Sequence, residues 1–274
     1  MTEDSLRDQT ALVTGASSGI GAAIARAFAA HGMRVALTAR RANLLEQVAS
    51  DCRAAGSPEV VVLTADLTDV EAAERVALAA WDELGGLDVV VNNAGIPKRR
   101  NVAKLTFADV VEVQTVNYLS PVRIMLALIP RMVGRGSGMF VNIGSGAARA
   151  ASPQEAAYTG SKFALAGFTE AAFVDLAGTG VTFRLVEPGP IETPIWDEMA
   201  GNDSPIYKGR FYPPEDVADA VVAAVLGDTF EYFVPPEQQR IIEFKSHDID
   251  AFLKGAIAFA QGAVVPRDVD RPPS

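Results

Sequence analysis

The sequence predicts an α/β fold in a single domain, a doubly wound parallel sheet flanked by helices. Three observations carry that expectation. Short apolar runs alternate with amphipathic runs along most of the chain, the pattern of strand–helix–strand units. The apolar runs are continuous, as strands covered on both faces require. The first of them ends in a glycine-rich turn and passes into helix-spaced apolar positions. A length of 274 residues suits one large domain. Such sheets bind ligands at the carboxyl ends of their strands.

Ala11–Thr14 is the first apolar run. Ile20, Ala23, Ile24, Ala27 and Phe28 then recur at helical spacing, and Gly32 ends that helix. Val35–Ala39 reads as a strand, Leu44–Ala55 as a helix and Val60–Ala65 as a β-branched strand. Val70–Leu84 is helical, with Gly85-Gly86 as its stop. Leu87–Val91 is the next strand, and Phe107–Leu128 a long helical stretch. Met139–Ile143, Val181–Val186 and Phe230–Val234 are further strands, separated by helices at Ala156–Leu176 and Glu215–Leu226. Residues 190–214 mix proline, aromatic and polar types without periodicity. They read as a flexible flap over a site, although an ordinary surface loop has the same composition. The core thus spans about residues 8–235, with a C-terminal extension over 236–274. Within the extension, Gln238–Ala260 is weakly helical and Pro266–Ser274 reads as a disordered tail.

Composition removes several function classes. Lys and Arg number 24 against 34 Asp and Glu, a net charge of −10 that disfavours nucleic acid. Cys52 is the only cysteine, so neither an internal disulfide nor a Cys-based zinc site can form. His31 and His247 are the only histidines, and no metal site is expected. No apolar run is long enough to span a membrane. Met1–Asp8 carries three acidic residues and no apolar centre, unlike a signal peptide, so a cytoplasmic location is expected.

The first turn reads Thr14-Gly15-Ala16-Ser17-Ser18-Gly19-Ile20-Gly21. Glycines here allow close backbone approach, and the free N–H groups opening the next helix favour a pyrophosphate. The turn stands where a dinucleotide site needs it, after the first strand and before an amphipathic helix. The second strand ends Thr38-Ala39-Arg40-Arg41, where an NAD site offers a carboxylate to the ribose. No acid is present and two arginines are. Guanidinium suits a 2′-phosphate, so NADP(H) is favoured over NAD(H), with Arg40 the nearer candidate. NAD(H) remains open, because both arginines could simply be solvated residues opening the next helix.

Tyr158 and Lys162 are four residues apart in a helical stretch and so share a face. A tyrosine ionises near pH 10, and a neighbouring ammonium lowers that value. The pair could exchange a proton with a carbonyl or alcohol oxygen. Alone, such spacing is common surface decoration. Ser145, just beyond the Met139–Ile143 strand, adds a hydroxyl at a strand end.

Together these residues resemble the short-chain dehydrogenase/reductase family, a single-domain branch with a Rossmann-type sheet. The likeness covers about Thr10 to Val234 and includes Thr14–Gly21, Asp66-Leu67, Asn92-Asn93-Ala94-Gly95, Asn117, Ser145, Tyr158, Lys162 and Pro188-Gly189. The resemblance implies that Tyr158 is the catalytic acid/base, that Lys162 lowers its pKa and holds the nicotinamide ribose, and that Ser145 polarises the substrate oxygen. Asn117 is implied to hold a water linking Lys162 to solvent. Gly15, Ser17, Ser18, Gly19, Ile20 and Gly21 are implied to cradle the pyrophosphate. Asp66, Leu67, Asn93, Ala94 and Gly95 are implied around the adenosine, and Pro188, Gly189, Ile191 and Thr193 beside the nicotinamide. Asn92 is expected to be structural.

The implied function is an oxidoreductase that interconverts a ketone or aldehyde and an alcohol. Ile195, Trp196, Met199, Tyr207, Phe211 and Tyr212 point to a hydrophobic small-molecule substrate. A non-catalytic NADP(H) sensor is the contrasting expectation, disfavoured because Ser145, Tyr158, Lys162 and Asn117 are all present. A sugar-nucleotide epimerase is disfavoured by chain length and glycine spacing. The family's Gly-Gly ending after the last strand is replaced by Pro235-Pro236. That weakens the implied homotetramer and leaves a homodimer through the two long helices.

Overall fold

The computed structural model describes residues 6–197 and 201–262. Its sheet has seven parallel strands in the order β3-β2-β1-β4-β5-β6-β7. These are β1 (Thr10–Thr14), β2 (Arg34–Ala39), β3 (Val60–Thr64), β4 (Val89–Asn92), β5 (Gly138–Ile143), β6 (Val181–Pro188) and β7 (Glu231–Val234). The order reverses between β1 and β4, so the loops after them diverge and leave a crevice at the strand ends.

The helices are α1 (Gly19–Ala30), α2 (Ala42–Ala55), α3 (Val70–Leu84), α4 (Phe107–Gln114), α5 (Ser120–Arg135), α6 (Ala156–Asp175), α7 (Pro214–Leu226), α8 (Gln238–His247) and α9 (Ile249–Ala260). The two-residue side-chain period of β1 divides the core. Ala11 and Val13 pack with α1, α2 and α7 on one face, while Leu12 packs with α3, α5 and α6 on the other. Both faces are therefore dry, which is why the strands read as unbroken apolar runs.

Two departures from the sequence reading bear on the site. The stretch beginning at Phe107 continues past Pro130 to Arg135, where Gly136 closes it at φ 76°. Its path is interrupted at Thr115–Leu119 by a wider π-type turn, in which the Ser120 N–H donates to the Thr115 carbonyl five residues back. Such turns in α-helices recur at functional sites, and this one contains Asn117. The weakly helical C-terminal stretch is two helices. Asp248 separates them, with extended backbone and a side chain that accepts from the Ala251 N–H at 2.9 Å. The expected tail Pro266–Ser274 lies outside the described residues.

Candidate active site

The Gly-rich turn is built by its neighbours. Gly15 adopts φ +66°, and a Cβ there would stand 2.9 Å from the Ala94 Cα. The Thr14 hydroxyl accepts from the N–H groups of Asn93 and Ala94, each at 3.0 Å, and the Asn93 amide donates to the Thr14 carbonyl at 2.9 Å. The end of β4 is thereby laced to the end of β1. Asn92 ties β4 to β5, donating to Asn142 at 2.8 Å, the structural part expected of it.

Ser18, at the head of α1, makes no side-chain cap, and no acid stands in the first helical turn. The leading N–H groups of α1 are left for an anion, which fits a dinucleotide pyrophosphate. Arg41 curls over the same turn. Its guanidinium donates to Ser18 Oγ at 2.8 Å and to Ser17 Oγ at 3.2 Å. Arg40 lines the same rim.

The crevice is one continuous cleft of about 1060 Å³. Gly15, Ser17, Ser18, Gly19 and Ile20 line one end, followed by Asp66, Leu67, Asn93, Ala94 and Gly95. Ser145, Tyr158, Lys162, Pro188, Gly189, Ile191 and Thr193 line the other. Gly21 and Asn117 are set behind this lining. Gly21 packs beneath the Gly15 carbonyl and the Asn93 amide. Asn117 is fully buried, accepts from the Ile96 N–H at 2.8 Å, and donates to the Ile96 carbonyl and Ser161 Oγ, each at 3.0 Å. Its side chain braces the wall that carries Gly95. Asp66 also keeps its turn-forming part, accepting from the Thr68 N–H at 3.0 Å.

Tyr158 and Lys162 project from one face of α6 toward the end of β5. Lys162 is buried, donates to the Ile143 carbonyl at 2.8 Å and stands 5.8 Å from the Tyr158 ring centroid. Burial pushes its ammonium down to about 8, against the pull of the Glu187 carboxylate. Tyr158 is half-buried, and its phenol is pushed well above the usual value. Burial is the main cause, the Glu155 charge adds to it, and hydrogen bonding with Ser145 opposes it. The net direction is opposite to the lowering expected from a neighbouring ammonium, because desolvation is the largest cause. The Tyr158 phenol is therefore held in its protonated form at neutral pH.

Three features escaped the sequence reading. Glu187, fully buried at the end of β6, accepts the Ser145 N–H, and Arg149 Nε stands 3.8 Å from its other oxygen. Burial raises its carboxyl to about 8. The available signal was an acid closing an otherwise apolar strand, directly before Pro188. Arg99 is the second. It is 3% exposed, and its guanidinium donates to the carbonyls of Ile195 at 2.8 Å, Asp197 at 3.0 Å and Asp203 at 3.4 Å. It also stands 5.9 Å over the Trp196 ring, so the segment after β6 hangs from one buried cation. Only proximity in the fold reveals that. The third is the C-terminal extension, whose Gln238, Ile241, Phe252 and Phe259 line the cleft.

Of the residues expected to meet substrate, Ile195, Trp196, Tyr207 and Tyr212 line the cleft. Phe211 packs edge-on against Trp196 and Tyr207, at 5.1 and 5.4 Å between centroids, and supports them. Met199 lies outside the described residues. No metal-binding cluster occurs among the described residues, and none of their helices is long and apolar enough to cross a membrane.

Comparison with known proteins bears on the family and the fold. The family model described as short chain dehydrogenase matches residues 9–203. The 1-deoxy-11-beta-hydroxypentalenate dehydrogenase of Streptomyces exfoliatus is 34% identical over 236 residues, 83% of each chain. A metagenomic short-chain oxidoreductase solved in complex with NADP is 32% identical, with TM-score 0.71 over 83% of this chain and 97% of that one. A short-chain dehydrogenase/reductase from Burkholderia phymatum, solved in complex with NAD, is 24% identical and shares the fold over 100% of both chains, with TM-score 0.82. The chain thus belongs to the short-chain dehydrogenase/reductase family, as an oxidoreductase of CH–OH and C=O groups that uses a nicotinamide dinucleotide.

Proposed function

We propose that this protein reduces the carbonyl group of an apolar small molecule with NADPH, and oxidises the matching alcohol in reverse. The observation that carries the reading is the meeting of Ser145, Tyr158 and Lys162 at one end of a cleft whose other end is the glycine turn with Arg40 and Arg41. The bound cofactor supplies the hydride. Tyr158 gives its proton to the carbonyl oxygen, and Ser145 hydrogen-bonds the same oxygen and polarises it. Lys162 holds its charge beneath Tyr158 and binds the nicotinamide ribose. Asn117 braces this arrangement, and the water link to Lys162 implied for it belongs to the same proposal.

Asp66, Leu67, Asn93, Ala94 and Gly95 hold the adenosine. Pro188, Gly189, Ile191 and Thr193 enclose the nicotinamide end, and Ile20 reaches the cofactor from the glycine turn. The 2′-phosphate falls between Arg40 and Arg41. Arg41 is the better posed of the two, because its guanidinium already sits with two hydroxyls over the turn. The NADP complex of the metagenomic relative supports the choice of cofactor.

Parallel fluorescence titrations with NADPH and NADH test the reading, using the natural chain, Arg40→Asp and Arg41→Ala. The natural chain is expected to prefer NADPH by about tenfold or more, the worth of one charge-assisted pair at ~1.4 kcal/mol. Each variant is expected to lose NADPH affinity and spare NADH. Equal loss for both coenzymes removes that arginine from phosphate recognition. A natural preference for NADH makes the protein an NAD(H) enzyme.

A further inference from the structure

The α8–α9 hairpin follows β7 and returns to the cleft. Neither helix has a fully buried residue. Lys245 donates to the Arg149 carbonyl and stands 4.8 Å over the Phe163 ring, which fixes α8 to the loop after Ser145. Gln238 donates to the Val234 carbonyl at 3.3 Å, and its amide fills the space that a side chain at Gly146 or Gly189 would take. One polar group of the extension therefore sits directly beside the catalytic serine and the end of β6.

Beyond Glu237 and Gln238, which open α8 at the cleft, the residues of the hairpin that line the cleft are apolar. Ile241, Ile242, Phe244, Phe252, Ala256 and Phe259 face the cleft, and no α8 or α9 residue that lines it is charged. Ile241, Phe244 and Phe259 keep 43%, 41% and 37% of their surface exposed. Across the cleft stand Ile195, Trp196, Ile206 and Tyr207. The cavity thus runs from a polar end at Ser145, Tyr158 and Gln238 to an apolar end between two walls. Large apolar side chains left open along a cavity continuous with a catalytic site mark where a ligand's apolar part is buried.

We propose that the α8–α9 hairpin is a wall of the substrate site, and that the substrate is a long-chain or polycyclic carbonyl compound whose apolar body lies between the hairpin and the Trp196 segment. Gln238 is the polar contact beside its reacting end. The inference rests on the oxidoreductase reading above. The carbonyl carbon takes a hydride from the reduced cofactor, which is oxidised, and the carbonyl oxygen takes the Tyr158 proton.

A series of straight-chain methyl ketones, from butanone to tridecan-2-one, tests it with the full chain and saturating reduced cofactor. The kcat/KM is expected to rise about fourfold per added methylene, the worth of one buried CH2. Phe252→Ala is expected to flatten that slope. Leu253→Ala, at a position 44% exposed and outside the cleft lining, is expected to leave it intact. Thermal melting of both variants checks that they are folded. Turnover that does not change along the series overturns the inference and leaves the oxidoreductase reading standing. Equal flattening by both substitutions also overturns it, because the hairpin then acts through its attachment alone. A flat series with self-association that Phe252→Ala abolishes assigns the apolar face to a second copy of the chain. Absence of turnover with every ketone, despite cofactor binding, overturns the underlying reading and this inference with it.

Discussion

At the residue scale, the proposed chemistry turns on how two buried ionisable groups, Lys162 and Glu187, and the half-buried Tyr158 share one small volume. Tyr158 is pushed up, Lys162 is pushed down to about 8, and Glu187 is raised to about 8. Each shift has burial as its leading cause, and each moves the group toward its neutral form. A phenol held protonated carries the proton that the proposed carbonyl reduction needs. In the proposed reaction Lys162 sets the alkaline limit. Its pKa is lowered from 10.5, so the ammonium is present below about pH 8 and is lost above it. Carbonyl reduction at saturating substrate is therefore expected to be level below that pH and to fall by about tenfold per unit well above it. A pH–rate profile that stays level far into alkali contradicts a required Lys162 ammonium. The second oxygen of Glu187, 3.8 Å from Arg149 Nε and without a hydrogen bond, belongs to the same balance, since Glu187 in its ionised form raises both neighbours.

At the element scale, most of the site is carried by the ends of strands, and these were legible. β1, β2, β4, β5 and β6 each deliver residues to the cleft at the place where the apolar run stops. An apolar run that stops at a glycine or serine is a local signal at Gly15 and Ser145, whereas Asn93 and Gly189 were legible only through the family resemblance. The flap was legible only as a loss of periodicity. Its anchor was not, because Arg99 precedes the residues it holds by about a hundred positions and nothing in their spacing pairs them. Replacing Arg99 with methionine keeps the stem and leaves the carbonyls of Ile195 and Asp197 without their donor. The expected result is a rise of about tenfold in KM for a reduced ketone and a drop of several degrees in Tm. A lower Tm with unchanged KM assigns Arg99 to stability alone. The π-type turn at Thr115–Leu119 was similarly hidden, since its sequence keeps helical spacing and only the buried partners of Asn117 distinguish it.

At the scale of the whole molecule, two apolar layers sandwich one parallel sheet, and every feature that binds or reacts gathers at one edge of it. That arrangement follows from alternating strand and helix patterns, which the sequence displays plainly over its first 230 or so residues. The C-terminal extension is the exception. Its apolar residues are helix-spaced but reach no fully buried position, so the pattern does not say what they face. Only the fold shows that they return to the catalytic end. In the proposed reaction this cleft joins a nicotinamide cofactor to a proton donor at Tyr158. The most direct test compares the natural chain with Tyr158→Phe, measuring cofactor binding by fluorescence and cofactor consumption with a panel of apolar ketones. Both proteins are expected to bind the cofactor with nearly equal affinity, and only the natural chain is expected to turn over. Sustained turnover by Tyr158→Phe, or failure of the natural chain to bind either coenzyme, contradicts the account.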